Sequence, residues 1–514
     1  MDSDNNKKSS RIVKNTIVLY FRMLFLMAIS LYTGRVVLDV LGIDDYGIYN
    51  VVGGFVAMFA LVSSSLTGAN MRFLNYEMGL GNQERIKNVF SSLLTVQSLL
   101  ALIIFILCEI IGNWYINNMM VLPAERMSSA IWCLHFSLLS FCIDLISVPY
   151  RAAIVAHERM KAFAYVSIFE GLAKLGICFL IMIAPFDRLF LYAALLFVVQ
   201  SIVRLAYQIY CKINFKECHY KFVFDKVLLK ELFAYSGWHI VGNSANILKN
   251  HGTSIVLNFF FGPVVNAAKG VANQVMHAIL GFTNNFMLAM NPQITQSYAK
   301  QDYKYMLYLV HKGSRFSFYI LFLISLPLLV NADWILSIWL KEVPQNAVIF
   351  TQLSIIIAII TSLSNTLITA QNATGKVRNY QLVVGGIQLL NLPLAVLFLY
   401  LNFSPSSVLI IAIILEIIAL FSRMIMLHPI IKDFSVLQYT KDVILNCFCV
   451  AAASCILPLL KEILWQSHST SSVIINITLC IFGSSVSVLF IGCNKSERQS
   501  IFQKIPKLKA KFVG

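Results

Sequence analysis

Runs of about twenty apolar residues recur along nearly the whole of this 514-residue chain, separated by short polar links. A bilayer core is crossed by a helix of about 20 apolar residues, because lipid offers no partner for an unpaired backbone N–H or C=O. That rule predicts fourteen spans: 16–38, 46–66, 89–112, 128–149, 162–184, 189–210, 232–261, 271–294, 316–335, 347–370, 381–401, 407–427, 443–460 and 473–492. Only 12% of residues are charged, against roughly 25% in soluble domains, and mean hydropathy is +0.74. The expected fold class is an all-α integral membrane protein, and a soluble fold is excluded.

The net charge of +16 follows from topology. With the N-terminus inside, 29 of the 40 Lys and Arg fall in the two tails and the inner loops. Six lie outside (Arg35, Arg126, Arg188, Lys269, Lys341 and Lys461) and five within spans (Arg22, Lys174, Arg204, Lys249 and Arg423). That bias is the positive-inside pattern, so nucleic acid is not an expected partner. It predicts a multi-pass membrane protein with both termini cytoplasmic. Lys7, Lys8, Arg11 and Lys14 precede an apolar stretch longer than a signal-peptide core, which reads as an uncleaved first helix. The eleven cysteines form no CxxC pair with a matching partner, so buried reduced thiols are expected and no metal. Every loop is short, which leaves function to the helices.

Two internal matches share nearly one offset. Arg159, Lys161 and Phe163 correspond to Lys376, Arg378 and Tyr380, 217 residues on; Leu41, Gly42 and Gly47 correspond to Phe261, Gly262 and Ala267, 220 residues on. An offset near 218 maps spans one to six onto seven to twelve. The predicted organisation is an N-lobe over 1–210, a basic connector over 211–231, a C-lobe over 232–428, and an accessory helix pair with a basic tail over 429–514. An even number of helices per lobe keeps the two bundles in one orientation, able to rock about a central cavity.

The turn Arg35-Val36-Val37-Leu38-Asp39-Val40-Leu41-Gly42-Ile43-Asp44-Asp45-Tyr46-Gly47-Ile48-Tyr49 and the loop Ile154-Val155-Ala156-His157-Glu158-Arg159-Met160 resemble motifs of the Wzx-type O-antigen and polysaccharide flippases. These belong to the multidrug/oligosaccharidyl-lipid/polysaccharide (MOP) exporter superfamily. The resemblance spans the chain in topology and is specific to the family, not to a sugar. It implies two bundles like those of multidrug and toxin extrusion (MATE) transporters. It also implies a flippase of undecaprenyl-diphosphate-linked oligosaccharide working by alternating access in surface polysaccharide synthesis, with a polymerase and assembly proteins as further partners. No cofactor is expected; a proton or sodium gradient or the membrane potential, worth about 2.3 kcal/mol per charge per 100 mV, would reset the cycle.

Ionisable groups inside a membrane are costly and are functional candidates by default. Arg22 in span one and Lys249 in span seven occupy first helices of the two lobes, and the resemblance gives such cations the carrier diphosphate. Arg and Lys suit phosphate as fork and point charge; snorkelling to the inner interface is the plain alternative for Arg22. Span seven carries His239, Asn243, Asn246, Asn250 and Thr253, spaced four, three, four and three on one helical face. Span eight carries Asn273, His277, Asn284 and Asn291. Amides suit sugar hydroxyls, though polar stripes also hold helices together. Glu170 with Lys174, and Glu416 with Arg423, are spaced to neutralise each other, while Glu170 stays a coupling candidate. Asp144 has no cation on its own helix before Arg151, which leaves a coupling site and an interfacial pair both open.

Two rivals are set against the flippase. A MATE-type multidrug or cation antiporter should prefer an acidic, aromatic cavity; Asp144 and Glu170 permit that, while Arg22 and Lys249 oppose it. A membrane-embedded glycan polymerase or ligase wants a large outer loop bearing Arg, His or carboxylates, and the outer loops here are short.

Overall fold

The computed structural model describes residues 2–57, 59–118, 124–183, 185, 187–223, 225–340, 343–464 and 469–499. Among them there are helices and no strands. The helices are α1 (Asp2–Ala57), α2 (Ala60–Leu80), α3 (Gln83–Asn118), α4 (Met127–Ala156), α5 (Met160–Ile183), α6 (Arg188–Asn214), α7 (Lys226–Ile247), α8 (Thr253–Ala299) and α9 (Tyr303–Val330). There follow α10 (Ala332–Trp339), α11 (Ala347–Ala373), α12 (Arg378–Leu389), α13 (Asn391–Tyr400), α14 (Ser407–Leu427), α15 (Val436–Tyr439), α16 (Asn446–Leu464) and α17 (Thr470–Ser487).

Eleven of the expected spans are long and apolar enough among the described residues to cross a membrane. The expected segments 46–66, 232–261 and 271–294 are not among the eleven. The first is interrupted at residue 58, outside the described residues, while His and Asn side chains lower the apolar character of the other two. The protein is thus a multi-pass helical membrane protein.

The chain divides into two compact units. The first comprises 1–243 and 288–301, the second 244–287 and 302–514. In the first unit α4 packs against α2, α3 and α6, and α1 against α5. Its core is built from Ile48, Val52, Ile104, Leu134, Leu138 and Leu145. The predicted turn between spans one and two is present: α1 bends at Gly42, whose φ of 78° is open to glycine at little cost. The end of α8 docks back on α2, where a Cβ on Gly79 would meet Ala299 Cβ at 2.6 Å and Gln296 O at 2.7 Å. Small residues permit such approaches between membrane helices.

In the second unit α11 packs between α9 and α14, and α12 and α13 lie on α14. The expected span over 381–401 is present as one membrane-crossing run, Arg378–Tyr400, with a break at Leu390 between α12 and α13. Pro393 lacks an N–H for Leu389 and crowds its carbonyl, so α12 stops there. A second difference is at Gly262, where the repeat predicted a turn and the helix α8 runs on. The terminal pair α16 and α17 packs on α9, secured by Arg315 on Glu497 at 3.1 Å and by Tyr319 donating to Gly492 O at 3.0 Å.

Candidate functional site

Residues seven apart on a helix are nearly two turns apart and share a face. On α14 that spacing aligns Glu416 with Arg423, as the sequence predicts, and Arg423 Nη1 donates to Glu416 Oε1 at 2.9 Å. Both are buried, 4% and 6% exposed. Three further side chains complete the cluster. Ser364 of α11 accepts from Arg423 Nη1 at 2.9 Å. Gln388, at the end of α12, donates to Glu416 Oε2 at 2.7 Å. Its carbonyl oxygen in turn accepts from Lys249 Nζ at 2.6 Å, and Lys249 lies 3.8 Å from Glu416 Oε2. One carboxylate therefore serves two cations.

Lys249 sits in a π-helical turn, Leu248–Gly252, inserted between α7 and α8. Such single turns are rare and are frequent at functional sites. The same turn receives a third cation: Lys269 Nζ donates to Asn250 O at 3.0 Å and to Thr253 Oγ1. Lys269 is buried, which corrects its place among the outer-loop charges. The signal was present, since small and apolar residues flank it on both sides. Among the described residues, the ion pairs of Lys249 and Arg423 run to Glu416 alone, and Lys269 has none. Three cations against one carboxylate leave this interior positive, which favours an anionic ligand over a cationic one.

The first unit holds its charges differently. Arg22 lies 4.6 Å above the Phe163 ring, and its buried Nε has no hydrogen-bond partner. Lys174 donates to Glu170 at 2.6 Å, the predicted pairing. Asp144 meets Arg151, seven residues further along the same helix α4, at 2.9 Å and receives a hydrogen bond from Gln200 of α6 at 3.0 Å. A group not singled out from sequence is Arg72, whose guanidinium stands 4.5 Å from the Phe73 ring, 4.8 Å from Tyr76 and 5.6 Å from Tyr235. Its inner-face position alone had suggested a loop charge.

The predicted stripe on span seven is divided. His239 and Asn243 belong to the first unit, where His239 packs on Tyr235 at 4.5 Å and Asn243 donates to Ser65 at 2.8 Å. Asn246 and Asn250 belong to the second and bond each other at 3.1 Å. The π turn also shifts Asn250 off the regular face. In α8, Asn273 is half-buried, and His277 and Asn284 are exposed. Arg22 and Lys249 stand in separate units with unlike surroundings, one on an aromatic ring and one in an ion cluster. Gln388, missed from sequence, lies 218 residues after Glu170, so the repeat offset itself pointed to it.

Comparison with known proteins gives two findings and one absence. The model of a family described as "Polysaccharide biosynthesis protein" matches residues 12–298, more than half of the chain. Among solved structures, a mutant of the MATE transporter VcmN from Vibrio cholerae superposes with a TM-score of 0.70 at 14% identity, covering 84% of this chain and 98% of that one. A MOP superfamily transporter from Pyrococcus furiosus, whose description notes a reversed polarity of its binding pocket, gives 0.69 at 13% identity, covering 83% and 96%. A multidrug resistance MATE family transporter in an outward-facing conformation gives the same score, identity and coverage. At these identities the likeness shows the fold. No curated protein matches the chain.

Proposed function

The chain belongs to the polysaccharide biosynthesis protein family, and from that premise we propose that it flips a lipid-linked oligosaccharide across a bacterial inner membrane. The observation that carries this reading is the positive interior of the second unit, with Lys249, Lys269 and Arg423 set against Glu416. A lipid diphosphate supplies the missing negative charge, and donors such as Lys and Arg bind its oxygens by charge-assisted hydrogen bonds. The amides of α7 and α8 offer donors and acceptors to the glycan. The site opens to each side in turn, both termini stay in the cytoplasm, and no covalent bond is made or broken. A proton or sodium gradient drives the return, with Glu170, Lys174 and Asp144 as the groups through which it acts.

A MATE-type cation antiporter remains the second reading because of the shared fold. A cationic drug would meet repulsion at this cluster, and for the Pyrococcus furiosus transporter a reversed polarity of the binding pocket is described as suggesting a different function.

The test is reconstitution of the full chain in liposomes carrying a fluorescent undecaprenyl-diphosphate oligosaccharide, with inside-to-outside movement read by an impermeant quencher. Protein-dependent movement is expected, lowered at least about tenfold by Lys249→Met, the scale of one lost charge-assisted contact. Transport of a cationic dye with no movement of the lipid-linked sugar would overturn the reading.

A further inference from the structure

The connector between α6 and α7 is a strap tied to α3 and to the loop after α4. His157, in the loop after α4, stacks on Phe215 at 3.9 Å and an interplanar angle of 3°. Its Nε2 also bonds Glu217 Oε1. Further on, Tyr220 and Thr95 share a hydroxyl hydrogen bond of 3.1 Å, and Lys221 N donates to Ser91 Oγ at 3.2 Å. Ser91 and Thr95 lie in the first turns of the membrane stretch of α3, expected to begin at residue 89. Six residues at 1.5 Å each place Thr95 about 9 Å beyond that start. Tyr220 is thus held beside the start of the apolar run of α3, and membrane proteins concentrate Tyr and Trp at such ends.

What the strap turns outward is unusual for a water-soluble link. Lys212, Lys216, Lys221, Lys226 and Lys230 are all exposed. Between them Ile213, Phe222 and Val227 are also exposed, at 78%, 68% and 70%. Phe215 and Cys218 of the same segment are buried, so the strap packs some of its apolar side chains inward while these three turn outward. A basic segment beside a membrane helix gains about 1 kcal/mol per Lys from anionic headgroups, and apolar side chains beside its end gain from the acyl boundary.

We propose that the strap over residues 212–230 is a docking surface for anionic phospholipid headgroups, its lysines binding phosphate while Ile213, Phe222 and Val227 enter the interface. This lipid is a fixed neighbour of the protein, separate from anything it transports, and the inference stands without the flippase reading.

Native mass spectrometry of the full chain in neutral detergent with equal phosphatidylglycerol and phosphatidylcholine tests it. Wild-type protein is expected to retain phosphatidylglycerol in preference. Lys216→Gln, Lys221→Gln and Lys226→Gln combined should reduce that preference at least about tenfold. The corresponding triple change to Arg should keep it, which separates lost charge from lost fold. Equal retention of the two lipids by wild type, or an unchanged preference in the Gln variant, would overturn the proposal. Displacement of phosphatidylglycerol by millimolar inorganic diphosphate would also overturn it, by assigning the lysines to a soluble anion.

Discussion

Lys249 lies 3.8 Å from Glu416, while the nearer partner of its ammonium is the neutral Gln388 at 2.6 Å. Gln388 thereby transmits the carboxylate's charge through a hydrogen bond and holds the cation off full contact. A buried cation so placed keeps part of its donor capacity for another ligand. The carboxylate has no such reserve, since both its oxygens are occupied.

Loss of the carboxylate should therefore be structural. Glu416→Gln leaves two buried cations with no counter-charge, and breaking one partner of a buried pair costs about 3–5 kcal/mol. The detergent-solubilised variant should unfold at a clearly lower temperature. Adding Arg423→Met should restore much of the loss. Equal stability of wild type and Glu416→Gln would refute this account of the cluster.

Lys269 should behave in the opposite way. Its ammonium is buried against a carbonyl and a hydroxyl with no carboxylate in contact, so its burial costs stability that packing must supply. Lys269→Met keeps the length of the side chain and removes the charge. Thermal stability should hold or rise, as buried charges replaced by apolar groups often allow. Movement of the lipid-linked sugar should fall about tenfold or more, the usual exchange of stability for function at a strained site. A variant that is both stable and fully active would remove Lys269 from the site.

Gly79 tests the packing of the first unit. A methyl group there would stand 2.6 Å from Ala299 Cβ and 2.7 Å from Gln296 O, and the backbone on that side is not free to yield. Gly79→Ala should cost about 1–3 kcal/mol, the scale of overpacking, with Gly79→Val worse. Melting temperatures of the two variants check the order.

How far these features were legible in sequence depends on the distance over which each is determined. The membrane class followed from run length and composition, which are local. Glu170 with Lys174 and Glu416 with Arg423 were legible because helical geometry fixes residues four and seven apart. The bond between Lys249 and Gln388 spans 139 residues, and no local rule brings those two together. Lys269 was misread because a single charge near an expected turn looks like a loop residue. The helix running through Gly262 removes that turn and carries the lysine inside. The π turn at Leu248–Gly252 has no strong sequence signature, so the stripe from His239 to Asn250 was expected to be continuous. The extra residue of that turn takes Asn250 off the helical period, while the division between Asn243 and Asn246 comes earlier, where the chain passes from the first unit to the second.

The strap's attachment should depend on pH through Glu217, which lies outside the spans. Burial alone would raise its carboxyl, but the hydrogen bond from His157, its own backbone N–H and the charge of His157 together hold it below the ordinary glutamate value. A group whose folded-state pKa is depressed adds stability that is fully present above the unfolded value of about 4.3. That stability is lost as pH falls through the lower folded value. Protection from hydrogen exchange over residues 212–223, taken relative to the intrinsic rate at each pH, should therefore be high and constant near neutrality, then fall on acidification below about pH 4. Glu217→Gln should exchange faster at neutral pH and lose that acid step. Retention of the step in Glu217→Gln would assign it to another carboxylate and separate His157 from the strap's anchoring.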